Sequence, residues 1–293
     1  MQINDKCFPC IVNQVLKVAE MTECKDKPEL FRKVFSYLSV ADYNKITPEI
    51  VGEVFKILRH HTGNDDPYCE LRKHYNTLLL SKENDFEKQI NASENPFWAA
   101  VKLAILGNLI DFAPIHNIDM NQMTKPLTKA QNLELTIDCG KQLVNDIKSS
   151  NTLLYLGDNC GEICLDKILI KKIKALNPEL DIYFAVRGEN AVNDSIEEDA
   201  YFVGIDKYAK IISNGDYSPG TVLEKTDANF QKLFWNADVI ISKGQGNYEC
   251  LNEVRNINIY FLLMAKCPII SENIGVPAKS TVCLNINTKQ KTG

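Results

Sequence analysis

Along the first half of the chain, apolar residues recur at helical spacing: Ile11, Val15, Val18 and Ala19 share one face, as do Ile50, Val54, Ile57 and Leu58. No strand is expected between Cys7 and about Ser149. Thr47-Pro48-Glu49 reads as a cap followed by proline in the first turn, and Asn95-Pro96 opens FWAAVKLAILGNLIDF in the same way. After Asn151 the pattern changes to short apolar runs, each closed by polar or glycine residues and followed by a helical stretch, as in repeated β-α units. The runs are Thr152–Leu156, Ile182–Val186, Ala209–Ile212, Val239–Ile241, Ile259–Leu263 and a last one near Thr281–Leu284. Such continuous runs suit a parallel sheet buried on both faces. The expected fold class is α/β, with an all-helical domain over residues 1–150 packed on a mostly parallel, doubly wound, Rossmann-like sheet in residues 151–293.

In open parallel sheets, ligands bind outside the carboxyl ends of the strands. The residues following the predicted strands are Gly157-Asp158-Asn159-Cys160-Gly161-Glu162, Arg187-Gly188-Glu189-Asn190 with Asn193-Asp194 beyond, Asn214-Gly215-Asp216, and Ser242-Lys243-Gly244-Gln245-Gly246-Asn247. Two carboxylates and an amide oxygen meeting at one rim suit a hard cation such as magnesium or manganese, which makes Asp158, Asn159 and Asp194 the candidate ligands. Lys243, beside Gly244 in a glycine turn, and Arg187 at a neighbouring strand end are candidates for binding an oxyanion, a phosphate or carboxylate. Each of these pieces alone also occurs as an ordinary turn; their coincidence at successive strand ends carries the reading.

Composition narrows the partners. A formal net charge of -5 removes the general attraction that nucleic acid or an anionic membrane exerts on basic surfaces. No apolar stretch approaches the roughly 20 residues needed to cross a bilayer, and no secretory signal is visible, so a cytoplasmic protein is expected. Lys171, Lys172 and Lys174 read as a solvated helix face. His60, His61, His74 and His116 lack metal or nucleophile spacing, and Trp98 and Trp235 read as core. Among ten cysteines, Cys24, Cys69, Cys139, Cys164, Cys250 and Cys283 are expected to be buried thiols; Cys7 and Cys10 form a C-x-x-C pair without a second pair to complete a metal site.

The sequence also resembles the metal-dependent damage-control phosphatases, protein family of unknown function 89, in particular their archaeal and bacterial stand-alone members. The likeness runs through C-F-P-C at Cys7–Cys10, T-G-N-D-D-P-Y at Thr62–Tyr68, A-I-L-G-N-L-I-D-F at Ala104–Phe112 and L-G-D-N-C-G-E at Leu156–Glu162. It continues in V-R-G-E-N-A-V-N-D at Val186–Asp194, P-G-T at Pro219–Thr221 and I-S-K-G-Q-G-N at Ile241–Asn247. The resemblance implies an all-α domain joined to a three-layer α/β/α domain, with the metal held at Asp158, Asn159 and Asp194. It further implies that Asn108 and Asp111 reach the same cleft and that Lys243 with its glycine turn contacts phosphate. Cys160, where many relatives carry alanine, is expected to put a thiol beside the metal.

The expected activity is therefore hydrolysis of small phosphomonoesters, such as sugar phosphates, with a divalent cation (magnesium, manganese, cobalt or nickel) polarising the phosphoryl group and Lys243 and Arg187 stabilising its charge. Either Asp194 or Asp111 orients the water, and a covalent route through Asp158 stays open. Two other classes remain: an S-adenosylmethionine-dependent carboxyl methyltransferase, and a non-catalytic metal or metabolite-binding protein with Cys7 and Cys10 in a sensing role.

Overall fold

The computed structural model describes residues 1–108 and 133–286. Among the described residues six helices come first: α1 (Cys7–Met21), α2 (Lys27–Val40), α3 (Thr47–Thr62), α4 (Cys69–Ser81), α5 (Glu83–Asn91) and α6 (Pro96–Gly107). Asn95 caps α6, its side chain accepting from Trp98 N at 3.0 Å, with Pro96 in the first turn. At α3 the expected cap is not made. Thr47 lies inside the helix, Ile46 is the N-cap, and Thr47 Oγ1 donates to Cys7 Sγ at 3.7 Å instead. Proline in the first turn and Gly63 at φ +65° after the last still bound α3 as the sequence suggests.

Among the described residues the sheet has seven strands: β1 (Ile137–Asp138), β2 (Thr152–Leu156), β3 (Asp181–Val186), β4 (Lys210–Ser213), β5 (Val239–Lys243), β6 (Ile259–Met264) and β7 (Thr281–Asn285). They are interleaved with α7 (Gly140–Ser149), α8 (Glu162–Leu176), α9 (Glu197–Val203), α10 (Ala228–Asn236), α11 (Gly244–Leu251) and α12 (Pro268–Ile274). The order is β1-β7-β6-β5-β2-β3-β4, parallel throughout except that β7 runs antiparallel to β6. β1 corrects the expectation that no strand precedes Ser149: it pairs Ile137 with Val282, and two residues are too few to show a period.

Successive strand residues point to opposite faces, and two cores follow from that alternation. Leu153, Tyr155, Phe184, Val186, Ile241 and Leu262 join a cluster that includes α8 and the helices of the first half. Leu154, Leu156, Ala185, Ile240, Phe261 and Leu263 join one with Phe230 and Phe234 of α10, Leu251 of α11 and Ile270 of α12. Both faces being covered explains why the strands read as unbroken apolar runs. Helix α8 lies between the sheet and α4, α5 and α6, and is buried over most of its length.

Three surface expectations change. Trp235 is 52% exposed, so it is not core. Lys171 is engaged by Glu83 and Glu87 of α5 at 2.7 and 2.6 Å, which makes its face part of a helix-helix contact. Of the cysteines expected to be buried, Cys164 and Cys283 are, whereas Cys24, Cys69, Cys139 and Cys250 are half-buried. Among the described residues, no helix is long and apolar enough to cross a membrane.

Candidate active site

Strand order reverses at β2: β3 and β4 extend the sheet on one side, β5, β6 and β7 on the other. The crevice between the carboxyl ends of β2 and β5 is therefore the switch point where a ligand site is expected. The chain leaves β2 through Gly157, where a Cβ would lie 2.7 Å from the Phe184 ring, so only glycine lets β2 end this close to β3. Next comes Asp158, whose carbonyl accepts Ser195 N at 2.8 Å and Ser195 Oγ at 3.1 Å. Asn159 and Asp194 form an isolated antiparallel bridge, Cys160 N donates to Asn193 O at 3.0 Å, and Asn193 Nδ2 donates to Asn159 Oδ1 at 2.6 Å. These backbone bonds clamp the loop after β2 to the loop after β3, and so bring the three candidate ligands together.

Asp158, Asn159 and Asp194 line one cavity of about 380 Å³, together with Asn108 from the end of α6. Asn108 Nδ2 donates to Asp158 Oδ2 at 3.0 Å and to Glu162 Oε2 at 3.2 Å, so the helical half reaches the crevice as the resemblance implies. Asp111 lies outside the described residues. Cys160 is fully buried, and Asp199 and Asn76 are its polar neighbours; its thiol does not line the cavity.

Lys243 and Arg187 sit differently from the phosphate contacts expected of them. Lys243 Nζ is fully buried and donates to Ala104 O at 2.9 Å, to Asp166 Oδ1 at 2.6 Å and to Glu162 Oε1. Arg187 Nε donates to Asp194 Oδ2 at 2.6 Å, while its Nη atoms reach Gly157 O, Asn247 Oδ1 and Thr221 Oγ1 at 3.2–3.4 Å. Neither side chain lines the cavity. Both hold the frame of the site from beneath. Gly244, at φ +77°, opens α11 against the carboxylate of Asp158: a Cβ there would fall 1.8 Å from Asp158 Oδ2. The glycine leaves room for Asp158, which is a closer constraint than backbone approach to a ligand.

The electrostatics favour a cation. Asp158, Asp194, Glu162 and Asp166 face Lys243 and Arg187, so four carboxyl groups meet two cations in a group at most 6% exposed, two more acidic groups than cations. Burial, then the charges of Asp194 and Glu162, push the Asp158 carboxyl well above the ordinary aspartate range. Burial also raises Asp194, against the pull of Arg187, and lifts Asp166 to about 6. Burial works against the Lys243 ammonium, but Asp166 and Glu162 hold its pKa above the usual value, so it stays charged. Asp158 Oδ2 accepts from Asn108 and from Asn159 Nδ2, whereas no described residue donates a hydrogen bond to Asp158 Oδ1. A divalent cation fits this donor set in charge and in hardness.

Several residues of the cavity were not read from the sequence. Among its described lining residues the cations are Lys6 and Lys266, both exposed, and Gln14, Gln245 and Cys267 share the wall. Lys6 precedes α1 and Gln14 lies within it, while Lys266 and Cys267 follow β6, segments without a local motif; Gln245 belongs to the glycine turn after β5. Glu162 and Asp166 did carry a signal, being one helical turn apart on the helix that follows the Asp158 loop.

Residues 3–282 match the family described as the Damage-control phosphatase ARMT1-like domain. The chain is 33% identical over 287 residues to a damage-control phosphatase of Pyrococcus horikoshii, covering 97% of this chain and 98% of that one. It is 35% identical over 296 residues to an uncharacterized protein of Methanocaldococcus jannaschii (97% and 95% covered). It is 29% identical over 286 residues to a damage-control phosphatase of Archaeoglobus fulgidus (94% and 96% covered). The crystal structure of a DUF89 family protein from Pyrococcus horikoshii superposes with a TM-score of 0.90 at 31% identity, covering 97% of this chain and 99% of that one. With the fold, the switch-point crevice and the full-length match in agreement, the chain belongs to the damage-control phosphatase ARMT1-like family, and phosphatase is the activity class that this membership gives it.

Proposed function

We propose that this protein hydrolyses small phosphomonoesters, such as sugar phosphates, and that Asp158, Asn159 and Asp194 hold the divalent cation on which the reaction depends. The observation that carries the reading is a buried group with two more carboxyls than cations, whose Asp158 and Asp194 open onto a cavity that also presents Lys6 and Lys266. Magnesium, manganese, cobalt and nickel all suit two carboxylates and an amide oxygen. When bound, the cation supplies Lewis-acid polarisation of the phosphoryl group.

The chain's own residues do the rest. Asp158 would hold the cation through Oδ1, while Asn108 and Asn159 donate to Oδ2. Arg187 and the Gly220 amide fix Asp194 by its Oδ2, which keeps its other oxygen free of described donors. Asp194 or Asp111 accepts the proton of the attacking water. Lys6 and Lys266 take the place first assigned to Lys243, meeting the charge of the phosphate or of a second anionic group on the organic part. A cavity of about 380 Å³ admits a small metabolite and excludes a folded partner.

The test is phosphate release from p-nitrophenyl phosphate and a panel of sugar phosphates by the EDTA-stripped protein, with each metal restored in turn. Activity with restored metal is expected, and Lys6→Ala with Lys266→Ala should raise KM about tenfold with kcat much less changed. Turnover that EDTA leaves intact, or a double variant with unaltered KM, would overturn the respective assignment.

A further inference from the structure

The cavity wall carries three thiols that phosphate hydrolysis does not use. Cys7 and Cys10 reach it from the first turn of α1, and Cys267 from the residue before α12, in the same cavity as Asp158, Asn159 and Asp194. The turn bearing Cys267 is fixed: Lys266 N and Cys267 N both donate to Gln245 Oε1, at 2.6 and 3.1 Å. Thr47 Oγ1 donates to Cys7 Sγ, and Cys10 is exposed. Glu249 of α11 lies on the same wall with Oε2 buried and without a partner among the described residues. Among those residues, no set of three His, Cys, Asp or Glu is placed to hold a metal, so the thiols do not form a ready-made metal centre.

Helix geometry bears on the pair within α1. Residues three apart on an α-helix have Cα atoms about 5 Å apart, from a rise of 1.5 Å per residue and a radius near 2.3 Å. That separation lies within the roughly 4.4–6.8 Å that a disulfide spans. Cys7 and Cys10 are three apart on α1, and Pro9 between them falls among the first-turn positions that have no intrahelical acceptor to lose. The Cα separation of the pair therefore lies within disulfide reach.

We propose that Cys7 and Cys10 are a redox-active dithiol in the wall of the catalytic cavity, closing to a disulfide by exchange with a small organic disulfide and thereby altering the cavity. One cysteine thiolate attacks a sulfur of the small disulfide and releases the first small thiol. The second cysteine then loses its proton, attacks the mixed disulfide and releases the second. Two protein thiols are oxidised by two electrons, and the reagent leaves as two thiols carrying the two protons. Cys267 is the internal competitor for the pairing. Burial, then the neighbouring Cys267, Cys7 and Glu249, push the Cys10 thiol up, which disfavours Cys10 as the first attacking thiolate. Closure draws Cys7 Sγ from Thr47, at the start of the helix whose Val51 also lines the cavity. The effect on turnover rests on the phosphatase reading; formation of the disulfide does not.

The experiment equilibrates the full chain in buffers of graded oxidised to reduced glutathione, traps free thiols by alkylation, and reads intact mass and tryptic peptides. Cys7 and Cys10 fall on one peptide between Lys6 and Lys17, so closure appears as the loss of two hydrogens from that peptide, with one midpoint. Cys10→Ser should collect a glutathione adduct on Cys7 instead, and Cys267→Ser should still close. A peptide that stays reduced or only carries adducts at every ratio overturns the proposal, as does a cross-link from Cys10 to Cys267. In parallel, phosphate release from p-nitrophenyl phosphate should fall about threefold or more in kcat/KM on oxidation, with the Cys7→Ser, Cys10→Ser double variant indifferent to the ratio. Equal rates in both states overturn control of the cavity. Absence of turnover in every state defeats the phosphatase reading, and the peptide masses still decide the dithiol.

Discussion

Lys243 shows what a single residue can conceal. In the sequence it reads as an oxyanion contact in a glycine turn, but its ammonium is sealed between Glu162 and Asp166, partners 81 and 77 positions away. Nothing local announces a pairing over that distance, although the two carboxylates one turn apart on α8 hint at a shared cation. Lys243→Met leaves both carboxylates buried and unpaired, so a loss of about 3–5 kcal/mol in unfolding free energy is expected. A phosphate contact would instead raise KM in a protein of unchanged stability; urea denaturation beside steady-state kinetics separates the two. Gly244 is equally specific. A Cβ 1.8 Å from Asp158 Oδ2 displaces that carboxylate, and Gly244→Ala should weaken metal binding at least about tenfold. Asp166, lifted to about 6 by burial, gives a pH signature. Its folded-state pKa is raised, so its stabilising contribution is full below the ordinary aspartate range and is lost as pH rises through about 6. The melting temperature of the metal-free protein should fall across that window, and Asp166→Asn should flatten the fall.

At the scale of elements, the strands were legible because both faces of the sheet are buried, which turns each strand into an apolar run. Asp158, Asn159 and Asp194, which follow two of those runs, meet at one cavity because strand ends of a parallel sheet share one edge, whereas Arg187 and Lys243 lie beneath it. What pattern could not give was pairing: β1 is two residues long, and the antiparallel placement of β7 depends on contacts distant in sequence. Nor could it give the clamp on α8. Asn76 of α4 accepts Gly161 N at 2.6 Å and donates to Asp199 Oδ1 at 3.0 Å, fixing the helix start beside Asp158. Asn76→Leu removes both bonds from a buried site, with an expected cost of about 1–3 kcal/mol and a weaker metal affinity, measured by calorimetry on the purified variant.

Across the whole molecule, one apolar cluster runs from Ile11 of α1 through α8 to Cys283 of β7, so the helical half and the sheet share a core. The carboxylate excess lies at their junction, with Asn108 supplied by one half and Asp158 and Asp194 by the other. Metal bound there would therefore stabilise both halves together. At a hundred times its dissociation constant, a divalent cation should add about 2.7 kcal/mol, seen as one thermal transition moving upward without splitting. The effect should grow with pH, because protons on the raised Asp158 and Asp194 carboxyls compete with the cation. The most direct measurement is calorimetric titration of manganese into the EDTA-stripped protein, with turnover of p-nitrophenyl phosphate followed on the same samples. One cation should bind per chain, and Asp158→Ala and Asp194→Ala should lose binding and turnover together while remaining folded. A folded Asp158→Ala protein that still binds manganese and still releases phosphate would place the metal, and the chemistry, somewhere else.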